Sequence, residues 1–475
     1  MPNKLSRPGI ISAKIVRDLL GLRADQRGTI AVMMGLLIPV LIGSLGLGFE
    51  ISNWYLRTRA MQNAADAAAI AAASNGGANY DLEAKAVAAR PEYAFVDGSN
   101  NVTVLPEKGS APAISQCPAG KTCYRVTITS AVPLFLSQVV GYTGDTTVNG
   151  AQEKSLSSVA VAQSDPYTTP ICLLGLGTTG KAIRANGSPK TDFTGCSIMS
   201  DSDALCNGSD LNAVFGLAAG SSSGCGSTQI SEVPKLTTQN SPALAKYDAL
   251  ENIIPANTCT PATTPPPLKK KGSTWSGGTG WTAGSAWPTG STQTTVTSPS
   301  GDSVTYVQVC GDLQLKGAVT IAAATPTVLV IRTGQMDLNG LTLKTSNVTI
   351  VFDGTSGSPT DHTTGGSGIL DVQAPTTGSW SGVGLYGHDT TDSILYKGNN
   401  PAWDISGLVY FPKADVTLDG AVNKSSNGAA CMVMVADTVL IDGTGSFYNQ
   451  TPAGCTTAGL AMPTAIIGKR GQLVY

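Results

Sequence analysis

Residues 29–49, TIAVMMGLLIPVLIGSLGLGF, form a run of 21 residues without a charge. As a helix rising 1.5 Å per residue the run extends about 31 Å, which matches the hydrocarbon thickness of a bilayer. One membrane crossing is therefore expected. Before it stand Lys4, Arg7, Lys14, Arg17, Arg23 and Arg27 against Asp18 and Asp25, whereas the far side opens with Glu50 and carries Arg57 and Arg59 nearby. By the positive-inside rule the N-terminus is cytoplasmic and the bulk of the chain lies outside, with Trp54 and Tyr55 in the outer interfacial belt. A cleaved signal peptide has an apolar region of roughly 7–15 residues and a small-residue site close behind it. The segment ISNWYLRTRAMQ at 51–62 lacks an A-x-A, so a retained anchor is the better reading. Within the span Ala31, Gly35 and Gly43 recur at multiples of four on one face, a spacing that permits close helix contact.

Working outward, the 475 residues include 55 glycines and 13% charged residues, and the net charge is −2. An ordinary domain carries about 25% charge and about 7% glycine, so turns and strands are favoured over solvated helices. No global positive field draws the chain to nucleic acid. The two histidines, His362 and His388, are too few for most histidine-based zinc sites, and no cofactor is implied. Ten cysteines begin at Cys117 and contain no CxxC pair, which points to disulfides in an oxidising compartment rather than to a zinc ribbon. Cys117 with Cys123 and Cys172 with Cys196 are the expected pairs, because short loops close at small entropic cost.

After the span, residues 51–73 contain neither Gly nor Pro and include AADAAAIAAA, so the helix is expected to continue to a stop at Ser74, Asn75, Gly76 and Gly77. A second helix is expected at 81–89, ended by Pro91. Alternating strands follow at 101–105, 123–130 and 158–163. Together these make a small α+β module over residues 76–165.

The residues that carry a family resemblance are RGTIAV at 27–32, the apolar span with its central Pro39, WYL at 54–56 and above all MQNAADAAAIAAA at 61–73. This region resembles the TadE/TadG-like N-terminal region of Tad (Flp) pilus-assembly proteins, closely over about the first 75 residues and more loosely through Pro133, Leu134 and Phe135. Pseudopilin-like members of that family carry a glutamate five residues after the prepilin cleavage glycine. Counted from Gly28 the fifth residue here is Met33, a departure that favours the larger, anchored TadG-like branch. The resemblance implies an inner-membrane location, a periplasmic bulk, partners among Tad/Flp secretion or pilus-assembly components, and an assembly surface on the helix at Asn63, Ala64, Ala65, Asp66 and Ala67.

From about Tyr306 onward short β-rich runs recur, among them VTYVQV, TVLVI, NVTIVF, GLVYF and DTVLIDG, each bounded by Gly, Asn, Asp or Pro. Their spacing of roughly ten to twenty residues, without intervening amphipathic helices, fits a parallel β-solenoid. A β-sandwich is the structural alternative. The segments at 310–317, 374–386 and 407–420 resemble the glycine-rich C-terminal solenoid of TadG-like envelope proteins, and those at 182–188 and 195–198 look like its first rungs. Other members of the family carry a von Willebrand factor A-like domain with a D-x-S-x-S metal motif. The nearest stretch, Asp442 to Ser446, leads into FYNQTPAG rather than a helix, so that reading fails.

Three catalytic patterns fail or stay weak. Gly175 to Ala182 nearly matches a P-loop, but Ala182 replaces the magnesium-binding hydroxyl and no phosphate-capping helix follows. Gly220 to Gly224 matches a hydrolase elbow only formally, since it lies in the low-complexity AAGSSSGCGS. Asp337, Asp353 and Asp371 near rung ends are the acids a carbohydrate-active solenoid would use, yet aspartate is also a routine turn former. Trp275, Trp281 and Trp287 recur every six residues in a Pro/Gly/Ser/Thr-rich stretch; they either clamp this loop to the solenoid or stack on sugar rings of the cell wall.

The expected architecture is a membrane-anchored α+β protein with a long N-terminal transmembrane helix, a small α+β module and a C-terminal, mainly-β parallel β-helix. Its segments are a cytoplasmic basic tail at 1–28, the transmembrane helix and alanine-rich extension at 29–75, the module at 76–165, first rungs at 166–235, an insertion at 236–300 with a short helix at 241–252, and a solenoid at 301–475. The expected role is non-catalytic: a single-pass scaffold or anchor, with a membrane-tethered carbohydrate-active enzyme as the alternative.

Overall fold

The computed structural model describes residues 27–271, 274–298, 301–354, 359–360, 368–398, 402–420, 431–444, 446–448 and 452–474. The expected basic tail, apart from its last two residues, and His362 lie outside the described residues. The chain divides into two compact units, Met1–Pro166 with Gly468–Tyr475, and Tyr167–Ile467. The last eight residues thus belong with the first unit rather than with the expected 301–475 segment.

The first unit is built on one helix, α1, Arg27–Asn75, of 49 residues with Pro39 inside it; at 1.5 Å per residue it is about 73 Å long. Its first half is open: Leu36 is 71% exposed and Leu45 73%. Its second half is a core element. Met61, Ala64, Ala65, Ala68, Ala69, Ala72 and Ala73 are fully buried, and their three- and four-residue spacing makes one face of the helix. They pack with Ala84 and Ala88 of α2, Tyr80–Ala88, and with one face of an antiparallel sheet. That sheet runs β1 (Val102–Gly109), β2 (Cys123–Pro133), β4 (Ala151–Gly175), with β3 (Thr146–Val148) also on β4. Residues of β2 alternate, with Tyr124, Val126, Ile128, Ser130 and Val132 buried and the intervening positions half-exposed, as expected of a sheet covered on one face. The β3–β4 hairpin closes through Asn149 and Gly150, both at positive φ (50° and 84°), the conformation for which Asn-Gly is the preferred two-residue turn.

The chain enters the second unit along β4 and returns from it along the strand Thr464–Leu473. In between, the described ladders are parallel with few exceptions, unlike the antiparallel pairing of a sandwich. Ser303–Cys310 pairs with Val319–Arg332, which pairs with Thr342–Asp353. This in turn meets Ile369–Gln373 and Val383–Tyr386, both of which pair with Ala402–Gly420. Ala402–Gly420 then pairs with Met432–Gly443. An antiparallel strand, Thr292–Thr297, pairs with Ser303–Cys310.

The layers do not follow sequence order. Met432–Gly443 pairs with residues 173–175 of β4 and with Lys181–Gly187. Those strands carry Ser197–Ser200 and Asp203–Cys206 on their other side, followed by Phe215–Ala218, Ser222–Ser223 and Thr228–Ile230. The segments expected to be first rungs are first along the chain, but residues 171–187 lie in the interior of the stack. The ladder registers decide this: the neighbour of residues 173–187 on one side is Met432–Gly443, from far down the chain, and on the other the strands that follow directly in sequence.

Successive residues of these strands are buried on alternate sides, so both faces are covered. Met432, Met434 and Ala436 enter one apolar cluster together with Val307, Val309, Leu329 and Trp403. Val433 and Val435 enter another together with Tyr306, Tyr386 and Tyr410. Over that second face lie Leu244, Tyr247 and Leu250, from the helix α3 (Pro242–Asp248) and the 3-10 turn Ala249–Ile253. Ser241 caps α3 by accepting the Leu244 N–H, and Pro242 opens its first turn. Tyr247 Oη donates to the Ala461 carbonyl at 2.9 Å and accepts the Ala461 N–H at 2.8 Å. The short helix expected at 241–252 is thus a cover on the core, and the stretch after it contributes strands such as Thr279–Trp281, paired with Leu313–Leu315, rather than loop alone.

Ten cysteines form five disulfides, Cys117–Cys123, Cys172–Cys196, Cys206–Cys225, Cys259–Cys310 and Cys431–Cys455.

Candidate membrane anchor and interaction surfaces

Ala31, Gly35 and Gly43 fall on the open half of α1, and a Cβ added at Gly35 or Gly43 would meet no atom within 4 Å. The helix is long and apolar enough to cross a membrane. Its character changes at Gly46, where an added Cβ would collide with the Leu136 side chain. One turn on, Glu50 is 2% exposed. Its carboxylate accepts the backbone N–H groups of Phe135, Leu136 and Ser137 at 3.0, 3.0 and 2.8 Å and the Ser137 hydroxyl at 3.0 Å. These amides open the 3-10 turn Ser137–Val140, so one charged side chain satisfies donors that a helix start leaves unpaired. Further along, Trp54 packs against Tyr142 with ring centroids 6.0 Å apart, and Arg57 reaches Ser130 Oγ at 3.0 Å and lies over the Phe95 ring. Tyr55 remains 61% exposed. Glu50 escaped the sequence reading because nothing local distinguishes a carboxylate that ends an apolar span from one that reaches across to a turn 87 residues away.

Of the residues expected to form an assembly surface on the helix, two face inward and three keep some exposure. Ala64 and Ala65 are fully buried inside their own unit, Asp66 and Ala67 are half-buried, and Asn63 is exposed. Gln62 ties this turn inward, donating to Asp66 Oδ1 at 2.8 Å and to the Val159 carbonyl at 3.0 Å. Small residues allow close approach to any surface, and here that surface is the sheet of the same chain.

In the second unit the three aspartates singled out by sequence hold strands to one another. Asp337 accepts the Gln314 side-chain amide at 2.7 Å and the Asn339 N–H at 2.8 Å. Asp371 pairs with Lys344 at 2.6 Å across one ladder step. Asp353 pairs with Arg332, which also donates to Gln308 Oε1 and to the Pro255 carbonyl. A further charged cluster surrounds His388, whose ring nitrogens each lie 3.0 Å from a carboxylate, Asp248 and Asp389, with Lys413 2.7 Å from Asp389. Burial, and then repulsion from Asp353 and Asp389, raise the Glu251 carboxyl above the usual range. Among the described residues no three His, Cys, Asp or Glu side chains form a group able to hold a metal. The P-loop-like run ends in a strand, Lys181–Gly187, and Ser221 in the elbow-like run donates N–H and hydroxyl to Asp203 at 2.7 and 3.0 Å.

The tryptophans separate. Trp281 is fully buried in the second unit's core, as the clamping alternative requires. Trp287 is half-buried and stacks on it, with centroids 6.2 Å apart and planes inclined by 27°. Trp275 lies in the short strand Thr274–Ser276.

An apolar helix with one bare half and one half folded into an α+β module defines a candidate membrane anchor. Residues 28–75 match the Tad family model, described as putative Flp pilus-assembly TadE/G-like, so this stretch of the chain is TadE/G-like. Comparison with curated proteins and with solved structures finds no match.

Proposed function

We propose that this chain is a single-pass inner-membrane protein that serves Tad/Flp-type pilus assembly as a non-catalytic scaffold. In this reading its N-terminus is cytoplasmic, both folded units are periplasmic, and the second unit is a parallel β-helix that presents a rigid binding face to pilus components or cell wall. The observation that carries the reading is the division of α1: an open apolar half of bilayer length followed by a packed half within a TadE/G-like segment. Five disulfides support an oxidising compartment for the bulk of the chain. The structural contacts of Asp337, Asp353 and Asp371 support placement over chemistry.

The test has two arms. After mild reduction, an impermeant maleimide should label the chain in cells whose outer membrane is permeabilised and inner membrane intact; labelling that requires lysis of the inner membrane overturns the topology. A strain lacking the chain should lose surface pili and regain them with the full chain, but not with one whose residues 29–49 are replaced by a cleaved signal peptide. Full piliation without the chain would overturn the assembly role.

A further inference from the structure

On the second unit two open depressions of about 470 and 500 Å³ adjoin at Ala324. The ridge between them is a bulge. Register slips between Ala322 and Thr327, so residues 323–326 stand against the single residue Asn347. The Asn347 side-chain amide donates to the Ala323 carbonyl at 3.1 Å and fixes the ridge. On one side lie Trp287 and the hydroxyls of Thr305 and Thr320. On the other, Ser346, Gln373 and Ser406 occupy one ladder position on three consecutive strands, continuing from Ala322. These polar groups therefore recur at the interstrand spacing of about 4.8 Å, the scale of a pyranose ring.

The chemistry of this surface is selective by what it offers. None of the described residues lining either depression is charged. An ionic ligand would give up hydration without an opposite charge in return, and a purely apolar ligand would strand the amide and hydroxyls beneath it. A neutral saccharide meets both demands, with C–H faces for an aromatic ring and hydroxyls for side chains that both donate and accept. Trp287 suits the first task because its ring is already held against buried Trp281, whose Nε1 donates to the Ser285 carbonyl at 3.3 Å. Little side-chain freedom remains to be lost on binding.

We propose that this groove binds an uncharged glycan strand laid across the ladder, with one sugar ring on Trp287. The proposal names a ligand for the binding face in the reading above, and its test is independent of pilus assembly. The full chain, reconstituted in lipid nanodiscs, is titrated with chitohexaose, maltohexaose and hexagalacturonate, and binding is followed by calorimetry and tryptophan fluorescence. At least one neutral hexaose should bind with a dissociation constant below about 1 mM, at least tenfold tighter than the anionic one. Trp287→Ala should weaken it at least tenfold and Gln373→Ala at least threefold, with unchanged circular dichroism. Should Trp287→Ala disturb folding, Thr320→Glu at the exposed rim should produce the same tenfold loss. Absence of binding to both neutral sugars at millimolar concentration, equal affinity for hexagalacturonate, or undiminished binding in Thr320→Glu would each overturn the proposal.

Discussion

The antiparallel sheet of the first unit and the parallel ladders of the second bury their strands in different ways. In β2 every second residue is buried, because α1 covers one face and the other stays open. In Met432–Gly443 the first five residues are all buried, because one cluster takes Met432, Met434 and Ala436 and another takes Val433 and Val435. A run such as MVMVA therefore carries no alternation, not because the strand is irregular but because water reaches neither face. The contact partners differ too: alanine against sheet in the first unit, and aromatic rings in successive layers in the second, where Tyr386 and Tyr410 are register partners 5.4 Å apart.

This contrast can be broken experimentally. The largest effect is expected from Trp403→Ala in the second unit, since Trp403 is 1% exposed and stacks on Tyr396. A void of that size should cost about 3–5 kcal/mol, read from the denaturant midpoint of the full chain; a loss below 1 kcal/mol would mean that this core is not close-packed.

A smaller effect concerns Asp201, 3% exposed, whose carboxylate accepts the Leu236 N–H at 2.8 Å while burial pushes its pKa up to about 6. The folded state then holds the proton more tightly than the unfolded one. Its contribution to stability is greatest below about pH 4, falls between about pH 4 and 6, and stays flat above. Relative to Asp201→Asn, the wild type should lose about 2–3 kcal/mol across that window. Parallel stability curves for the two proteins from pH 4 to 7 would contradict this.

The smallest effect sharpens the other side of the comparison. Ala69→Leu enlarges a fully buried residue of α1, and overpacking should cost about 1–3 kcal/mol. The same change at Ala67, which is half-buried, should cost under about 0.5 kcal/mol. Equal melting temperatures for the two variants would show that the alanine face does not pack as closely as described.

Much of this was legible in the residues. The uncharged run at 29–49 announced the apolar half-helix, and glycine-bounded β-branched runs announced most strands from Ser303 onward. Cys117–Cys123 and Cys172–Cys196 join cysteines that are neighbours in sequence and close loops of 6 and 24 residues, which is what made them readable, although the same argument applies to Cys206–Cys225 with 19. Cys259–Cys310, separated by 51 residues, was not. Strand order was hidden because periodicity reports how a strand is covered and not which strand lies beside it. The buried face of the alanine run was hidden for a related reason: a small-residue face says that something comes close, without saying whether it belongs to the same chain. At the candidate groove, Trp287 stood out by residue type, whereas Ser346, Gln373 and Ser406 are ordinary residues that the register alone aligns.

The pairing of Met432–Gly443 with residues 173–187 has a kinetic meaning. A stack built in order can grow as the chain emerges, each new layer closing a short loop on the last. Here the layer begun at residues 171–187 keeps a bare ladder edge until a strand about 250 residues downstream reaches it. That edge is a template for any strand that arrives sooner, so pairing between newly made copies is the expected misfolding hazard until the last strands are in place.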